Sequence, residues 1–186
     1  MFAGVIFDVT IPGIYNGHLI YGKKRLFCGA LFKRSRLYAL ILPLNTRAKV
    51  KKALKAQVVG QTILYAKNDI RGVQRYVRAY FAGKKYWSSP TIDLDDISPF
   101  SLKVLRVVKK IPFGKTLDYA AIAKKAGSPK AVRAVGSILA RNRLTLIVPC
   151  HRVIKKNGDL GNFSGGYGKA LKGIMLLIEK NTCHNN

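Results

Sequence analysis

The sequence predicts an α+β protein in two parts, a small sheet-and-helix part over residues 1–95 and a mostly helical part over 96–186. Three observations predict it. Short runs rich in Tyr, Phe, Ile and Val, separated by turns containing Gly, Asn and Pro, fill the start of the chain. Apolar residues at helical spacing take over from Thr46. Acids gather at Asp93, Asp95 and Asp96, directly before Ser98 and Pro99, an N-cap residue and a proline at the first helical position.

Strands are expected at 2–9, 18–21, 26–32 and 37–42, with turns at Pro12-Gly13, Asn16-Gly17 and Gly22-Lys23. Thr46 to Val59 is basic and amphipathic, with Val50, Leu54 and Val58 four apart. Asn68 to Phe81 repeats the helical pattern through Val73, Tyr76, Val77, Tyr80 and Phe81. Strands followed by helices make a small sheet carrying helices, and no catalytic pattern shows in this part. In the second part, Pro99 to Lys110 carries Leu102, Leu105 and Val108 on one side. Asp118 caps a short helix through Lys125 that Gly127 ends. Ser128-Pro129 starts the next helix, which runs to about Arg141 and carries Lys130 and Arg133. Two helices across a three-residue break resemble a helix-turn-helix. Asn157-Gly158 is a hairpin-type turn, and a last helix runs from about Lys169 to Lys180.

A chain of 186 residues makes one large domain or two small ones. It can hide roughly 70% of its extended surface. Its 48% hydrophobic content excludes a disordered tail protein. Against 34 Lys and Arg stand 8 Asp and Glu, a net charge of +26. Each part has 17 basic and 4 acidic residues, so neither is merely a basic tail. Such a surplus points to a polyanion, nucleic acid or an acidic membrane surface. No apolar run approaches the roughly 20 residues that span a bilayer, and the N-terminus lacks the basic start and long apolar stretch of a signal peptide. Cys28, Cys150 and Cys183 are too few and scattered for a disulfide framework, so a reducing, cytoplasmic setting is expected.

Acid–base candidates are few: seven aspartates, one glutamate (Glu179) and three histidines (His18, His151, His184). Between Leu146-Ile147-Val148 and Val153-Ile154, the sequence Pro149-Cys150-His151-Arg152 displays a thiol, an imidazole and a guanidinium from an apolar support. A thiol attacks as thiolate, and nearby cations favour that form. Adjacent residues need not face one another, so a buried structural cysteine stands as the competing reading. His151 needs an orienting partner to act as a base. Glu179, beside Leu176, Leu177 and Ile178, is either that partner or a solvated carboxylate. The loop Asn162-Phe163-Ser164-Gly165-Gly166-Tyr167-Gly168 is a connector, or a place where a flat ligand approaches backbone. It lacks the Lys-Ser/Thr ending of a phosphate-binding loop.

In order along the chain come Ile111 to Thr116, Asp118-Tyr119, Pro129 to Gly136, Arg141-Asn142, Pro149 to Ile154 and Gly161 to Gly166. Together they resemble the O6-alkylguanine-DNA alkyltransferases over about residues 98–180. The resemblance implies an N-terminal RNase H-like sheet domain and a C-terminal winged helix-turn-helix. It implies direct, irreversible transfer of the alkyl group from O6-alkylguanine, and from O4-alkylthymine, in double-stranded DNA to Cys150, once per molecule, on a flipped-out base. His151 then deprotonates Cys150 through a water, with Glu179 orienting it. Asn142 ties the helix-turn-helix to the active-site segment. Tyr119 contacts the flipped base or its phosphate and assists its protonation. Val153, Ser164, Arg152 and Gly165 border the guanine. Arg133 fills the gap in the duplex, with Lys130, Ala134 and Ser128 at the DNA. No cofactor is implied, and the free protein is expected to be a monomer.

Two departures qualify this. Phe163 stands where many members carry a tyrosine, and the length between Gly166 and the acid varies in the family. Some members bind zinc in the N-terminal domain, but Cys28 and His18 do not make four ligands, so no metal is expected here. Cys28 reads as a buried apolar residue. The rival readings are an architectural DNA-binding protein on the same helix pair, which leaves Cys150-His151 unexplained, and a turning-over Cys-His hydrolase.

Overall fold

A computed structural model describes residues 1–15, 18–66, 72–84 and 89–184. The Asn16-Gly17 turn signal, the His18 side chain and the first residues of the 68–81 segment lie outside what is described.

Strands β1 (Phe2–Tyr15), β2 (His18–Lys33), β3 (Arg36–Leu44) and β4 (Ile63–Tyr65) form one sheet in the order β3-β2-β1-β4. β1, β2 and β3 pair antiparallel, and β4 joins β1 in parallel. The expected breaks at Pro12-Gly13 and Gly22-Lys23 are not turns. β1 and β2 stay paired from Ala3↔Phe32 out to Tyr15↔His18, with a register shift at Pro12/Gly13. A ladder irregularity is where a residue without an N–H fits inside a strand.

The sheet is buried on both faces, and the period-2 alternation assigns each residue to one. Val5, Phe7, Val9 and Ile11 face α2 (Val73–Phe81) with Val77 and Phe81. Phe2, Leu31 and Ala39 face α1 (Arg47–Ala56) with Val50 and Leu54. Thr46 caps α1 by accepting from the Lys49 N–H at 3.2 Å.

The second part holds α3 (Pro99–Lys109), α4 (Tyr119–Lys125), α5 (Val132–Ala140) and α6 (Gly168–His184). Asp118 caps α4, accepting from Ala121 N–H at 2.8 Å. α5 starts at Val132, later than the expected Ser128-Pro129. Ala131 N–H donates to Ser128 C=O at 2.9 Å, closing a turn with Pro129 inside it, after Gly127 at φ 81°. Proline with its fixed φ suits that turn position, so the break between α4 and α5 is longer than three residues. Two-residue strands β5 (Leu117–Asp118) and β6 (Val153–Ile154) pair in parallel, Leu117 opposite Val153. This pairing ties the start of α4 to the segment that follows Cys150.

The acidic boundary segment is bonded to both sides. Asp93 N–H donates to Leu37 C=O at 2.8 Å, and Arg36 reaches Asp93 and Asp95. Arg143 pairs with Asp96 and stacks over Tyr38, 3.9 Å from the ring centroid. One buried apolar cluster runs from Val5 on β1 to Ile178 on α6, so the two parts share a core. Among the described residues no helix is long and apolar enough to cross a membrane.

Candidate active site

Residues 142–152 form a tight, buried support. Val148 N–H donates to Leu144 C=O at 2.8 Å, and Leu146 sits at φ 75°, left-handed backbone for a bulky residue. Such a conformation costs about 1–3 kcal/mol and persists only where its surroundings impose it. Asn142, just past α5, imposes it: its Oδ1 accepts from Leu144 N–H at 3.0 Å and its Nδ2 donates to Val148 C=O at 2.9 Å. The second Nδ2 proton points to Cys150 Sγ at 3.1 Å.

Pro149 then leads into a 3₁₀ turn, Cys150–Arg152. At three residues per turn, successive side chains point about 120° apart. Cys150 therefore faces one way and His151 and Arg152 turn from it. Cys150 is only 5% exposed, yet it stands on the wall of a cavity of about 780 Å³. Tyr119, Val132 and Arg133 line one side of the cavity, and Gly161, Phe163 and Ser164 another.

Behind the cysteine lies a second cluster, centred on two fully buried side chains. His151 Nε2 is 2.7 Å from Glu179 Oε1, and both side chains have no exposure. Arg152 Nε donates to Glu179 Oε2 at 2.9 Å and Nη2 to Oε1 at 2.9 Å, while Nη1 donates to Ile111 C=O at 2.7 Å. Gly114 N–H donates to Oε2 at 2.9 Å, and the Tyr80 hydroxyl donates to Oε1 at 2.9 Å.

These contacts set the charges. Burial alone would raise the Glu179 pKa; at the acid pH where the carboxyl titrates, the hydrogen bond and charge of His151 and then those of Arg152 outweigh it and hold the carboxyl at about 2. Burial pushes the His151 pKa down, more than Glu179 lifts it, so the imidazole rests neutral at pH 7. Burial pushes the Cys150 thiol up, only partly opposed by the Asn142 hydrogen bond and the Lys172 charge. The resting site is thus thiol, imidazole, carboxylate and guanidinium. With an anion against Nε2, that nitrogen carries the proton, and Nδ1 keeps its lone pair. Nδ1 is buried and has no partner among the described residues.

Other residues fall in varied places. Tyr119 is half-buried, and burial, then the Cys150 charge, raises its pKa. Arg133 and Ala134 are exposed on α5, Lys130 is exposed in the turn, and Ser128 is half-buried there. Ser164 reaches the cavity. Arg152, expected at the guanine, does not line it: the 3₁₀ turn commits its guanidinium to Glu179 and Ile111. Val153 is fully buried and its carbonyl accepts from Lys172 Nζ at 2.6 Å, so it lies behind the cavity. Gly165 is covered too. A Cβ there would meet the Phe163 ring at 2.4 Å, and one on Gly166 would meet Pro43 C=O at 2.2 Å. The glycines let this loop lie against its own ring and the N-terminal part, closer than a side chain would allow. Cys28 is buried and unpaired, its thiol pushed well up by burial.

Sequence reasoning missed Tyr80, Lys172 and the Gly114 N–H. Lys172 was findable: it lies seven residues before Glu179, on the same helix face, in the apolar stripe of Leu171, Met175 and Ile178. It is buried, donates to the carbonyls of Val153 and Leu160, and burial brings its pKa down to about 8.

Comparison with known proteins matches residues 99–181 to the family described as 6-O-methylguanine DNA methyltransferase, DNA binding domain. The chain is 38% identical over 157 residues to the methylated-DNA--protein-cysteine methyltransferase of Methanocaldococcus jannaschii, covering 83% of this chain and 88% of the relative. It is 43% identical over 113 residues to the constitutive enzyme of that description from Bacillus subtilis, covering 60% and 67%. Among solved structures, Mycobacterium tuberculosis OGT in complex with DNA superposes with a TM-score of 0.67 at 26% identity, covering 97% of this chain and 94% of that one.

Proposed function

The chain belongs to the 6-O-methylguanine DNA methyltransferase family, and from that premise we propose how its own residues repair alkylated DNA. The activity is transfer of the alkyl group from the 6-oxygen of guanine in DNA to a cysteine of the protein itself. The observation that carries the assignment is Cys150 on the cavity wall, hydrogen-bonded by Asn142, with the buried His151–Glu179 pair behind it.

The thiol proton passes to His151 Nδ1, through one water, as the sulfur attacks the alkyl carbon. A C–S bond forms, the C–O bond breaks, and its electron pair stays with the purine. Tyr119, on the cavity wall, gives its hydroxyl proton to the purine as the C–O bond breaks, so the purine leaves neutral, and the proton held on His151 returns to the tyrosinate through water. Glu179 stabilises the imidazolium at the moment it forms. The thioether has no route back, so each molecule reacts once. O4-alkylthymine offers the same alkyl–oxygen bond and belongs to the same substrate class.

A target atom inside a duplex cannot reach a sulfur 5% exposed in a cavity wall, so the nucleotide rotates out of the stack. That costs a few kcal/mol, and less for a damaged pair. Arg133, exposed at the cavity edge, occupies the space left behind. Lys130, beside Ser128 and Ala134, meets phosphates, and the charge of +26 adds counterion release. Three unpaired cysteines suit a reducing, cytoplasmic setting, and the protein works as a monomer whose parts 1–95 and 96–186 act together.

The test is incubation with a duplex bearing O6-methylguanine, followed by mass spectrometry with peptide mapping. The expected result is a gain of one methyl, confined to Cys150, at one equivalent. Tight binding with unchanged mass overturns the assignment in favour of an architectural DNA-binding protein.

A further inference from the structure

The N-terminal part sends the hydroxyl of Tyr80 into the catalytic cluster. Tyr80 is the eighth residue of α2 and is 5% exposed. Its ring packs edge-on against Phe81 at 5.3 Å and Phe113 at 6.1 Å between centroids. Its hydroxyl meets three groups: Glu179 Oε1 at 2.9 Å, His151 Nε2 at 3.2 Å and Met175 C=O at 3.2 Å. The same carboxylate oxygen faces His151 Nε2 at 2.7 Å.

We propose that Tyr80 is a positioning residue of the alkyl-transfer site, whose hydroxyl shares Glu179 Oε1 with the imidazole and so keeps His151 a neutral base. The inference rests on the alkyl-transfer reading above. A phenol has one proton, and of the acceptors in reach the carboxylate is both the closest and the only anion. Burial and then the Glu179 charge raise the Tyr80 pKa well above its usual value, so the proton stays on the phenol. Donation to Oε1 withdraws charge from the oxygen that pulls on the Nε2 proton. Without it, the imidazolium would form more readily, and the base would be occupied at working pH.

Two effects of the hydroxyl oppose one another, and the distances decide between them. As a donor to Oε1 at 2.9 Å it disfavours imidazolium; as an acceptor near Nε2 at 3.2 Å it favours it. Nε2 is already bonded to Glu179 at 2.7 Å, so the acceptor effect is the weaker. The remaining charged or titratable neighbours are Arg152 on the 3₁₀ turn, Lys172 on α6 and Tyr76 on α2. None of these is altered by removing the Tyr80 oxygen.

Tyr80→Phe in the full chain removes that oxygen and keeps the ring. The first readout is the ¹⁵N NMR titration of His151, which needs no substrate. Its midpoint should rise by about one pH unit. The second is the rate of reaction with free O6-benzylguanine against pH. The rate should fall about tenfold on the acid limb, with the alkaline plateau within about threefold of the parent, because one unit of pKa is one decade of neutral base. A merely structural role would lower the melting temperature and leave both midpoints in place. An unchanged or lowered His151 midpoint overturns the inference. If the parent protein accepts no alkyl group at all, it is the functional reading that fails, and the NMR midpoint still decides the role of Tyr80.

Discussion

Replacing Glu179 with Gln isolates the carboxylate at the centre of the buried cluster. Four residues direct donors at it: His151, Arg152, Gly114 and Tyr80. The Glu179 carboxyl is held at about 2 against an ordinary 4.5. At 1.36 kcal/mol per unit, the native fold prefers the charged form by about 3 kcal/mol. A depressed folded pKa means that this stability is present above the unfolded value near 4.5 and is lost as pH falls towards 2. Gln removes the charge and turns an amide N–H₂ towards one set of donors. It also strands Arg152, whose side chain is 12% exposed, without its anion. Breaking such a pair costs about 3–5 kcal/mol. For a chain of this length each kcal/mol moves the melting temperature by about 2–4 °C. Glu179→Gln should therefore melt at least about 6 °C lower at pH 7. Melts from pH 8 down to pH 3 should show the gap narrowing below about pH 4.5, as the unfolded parent chain takes up a proton that the folded one still refuses. A gap under about 1 kcal/mol at pH 7, or one that stays constant with pH, would refute the electrostatic account of this cluster.

Cys150→Ala should abolish alkyl transfer and leave DNA affinity within about twofold, because affinity comes from phosphate contacts; a collapse of binding in a gel-shift titration would sink that division. Asn142→Ala strips partners from Leu144 N–H and Val148 C=O and frees the left-handed Leu146. Calorimetry should register a loss of about 1–3 kcal/mol. The reaction with O6-benzylguanine should slow at every pH, since the Sγ hydrogen bond is also lost. Arg133→Ala should lower repair of O6-methylguanine in duplex much more than reaction with the free base, as competition kinetics would report; equal losses on the two substrates would remove its role in the gap.

The chemistry was legible where a residue type was scarce. One glutamate on an apolar helix and one cysteine beside a histidine left few pairings, and Glu179 does meet His151 at 2.7 Å. Helix ends were legible where a side chain caps them, as Thr46 and Asp118 do. Directions within the 3₁₀ turn were not, because adjacency in sequence says nothing about a rotation of about 120° per residue. Arg152 therefore read as a wall of the cavity and is a clamp on Glu179. Tyr80 was hidden for another reason. Its spacing marks only a buried helix face, and a phenol on such a face gives no sign of what its hydroxyl will meet 99 residues further on. The turn signals at 12–13 and 22–23 failed because a long two-stranded ribbon absorbs glycine and proline at a register shift.

The charges at rest explain why so much machinery surrounds one sulfur. A cysteine that reacts only once loses everything to a stray electrophile. Burial keeps Cys150 protonated, and a neutral His151 waits with its proton on the side facing Glu179. Thiolate then arises only when a proton can move to Nδ1 and an alkyl carbon stands against Sγ. Asn142 and Lys172 lower the cost of that brief charge without making it permanent. The arrangement ties reactivity to occupancy of the cavity. The net charge of +26, spread over both parts, brings DNA to the cavity without itself having to raise the nucleophilicity of the sulfur.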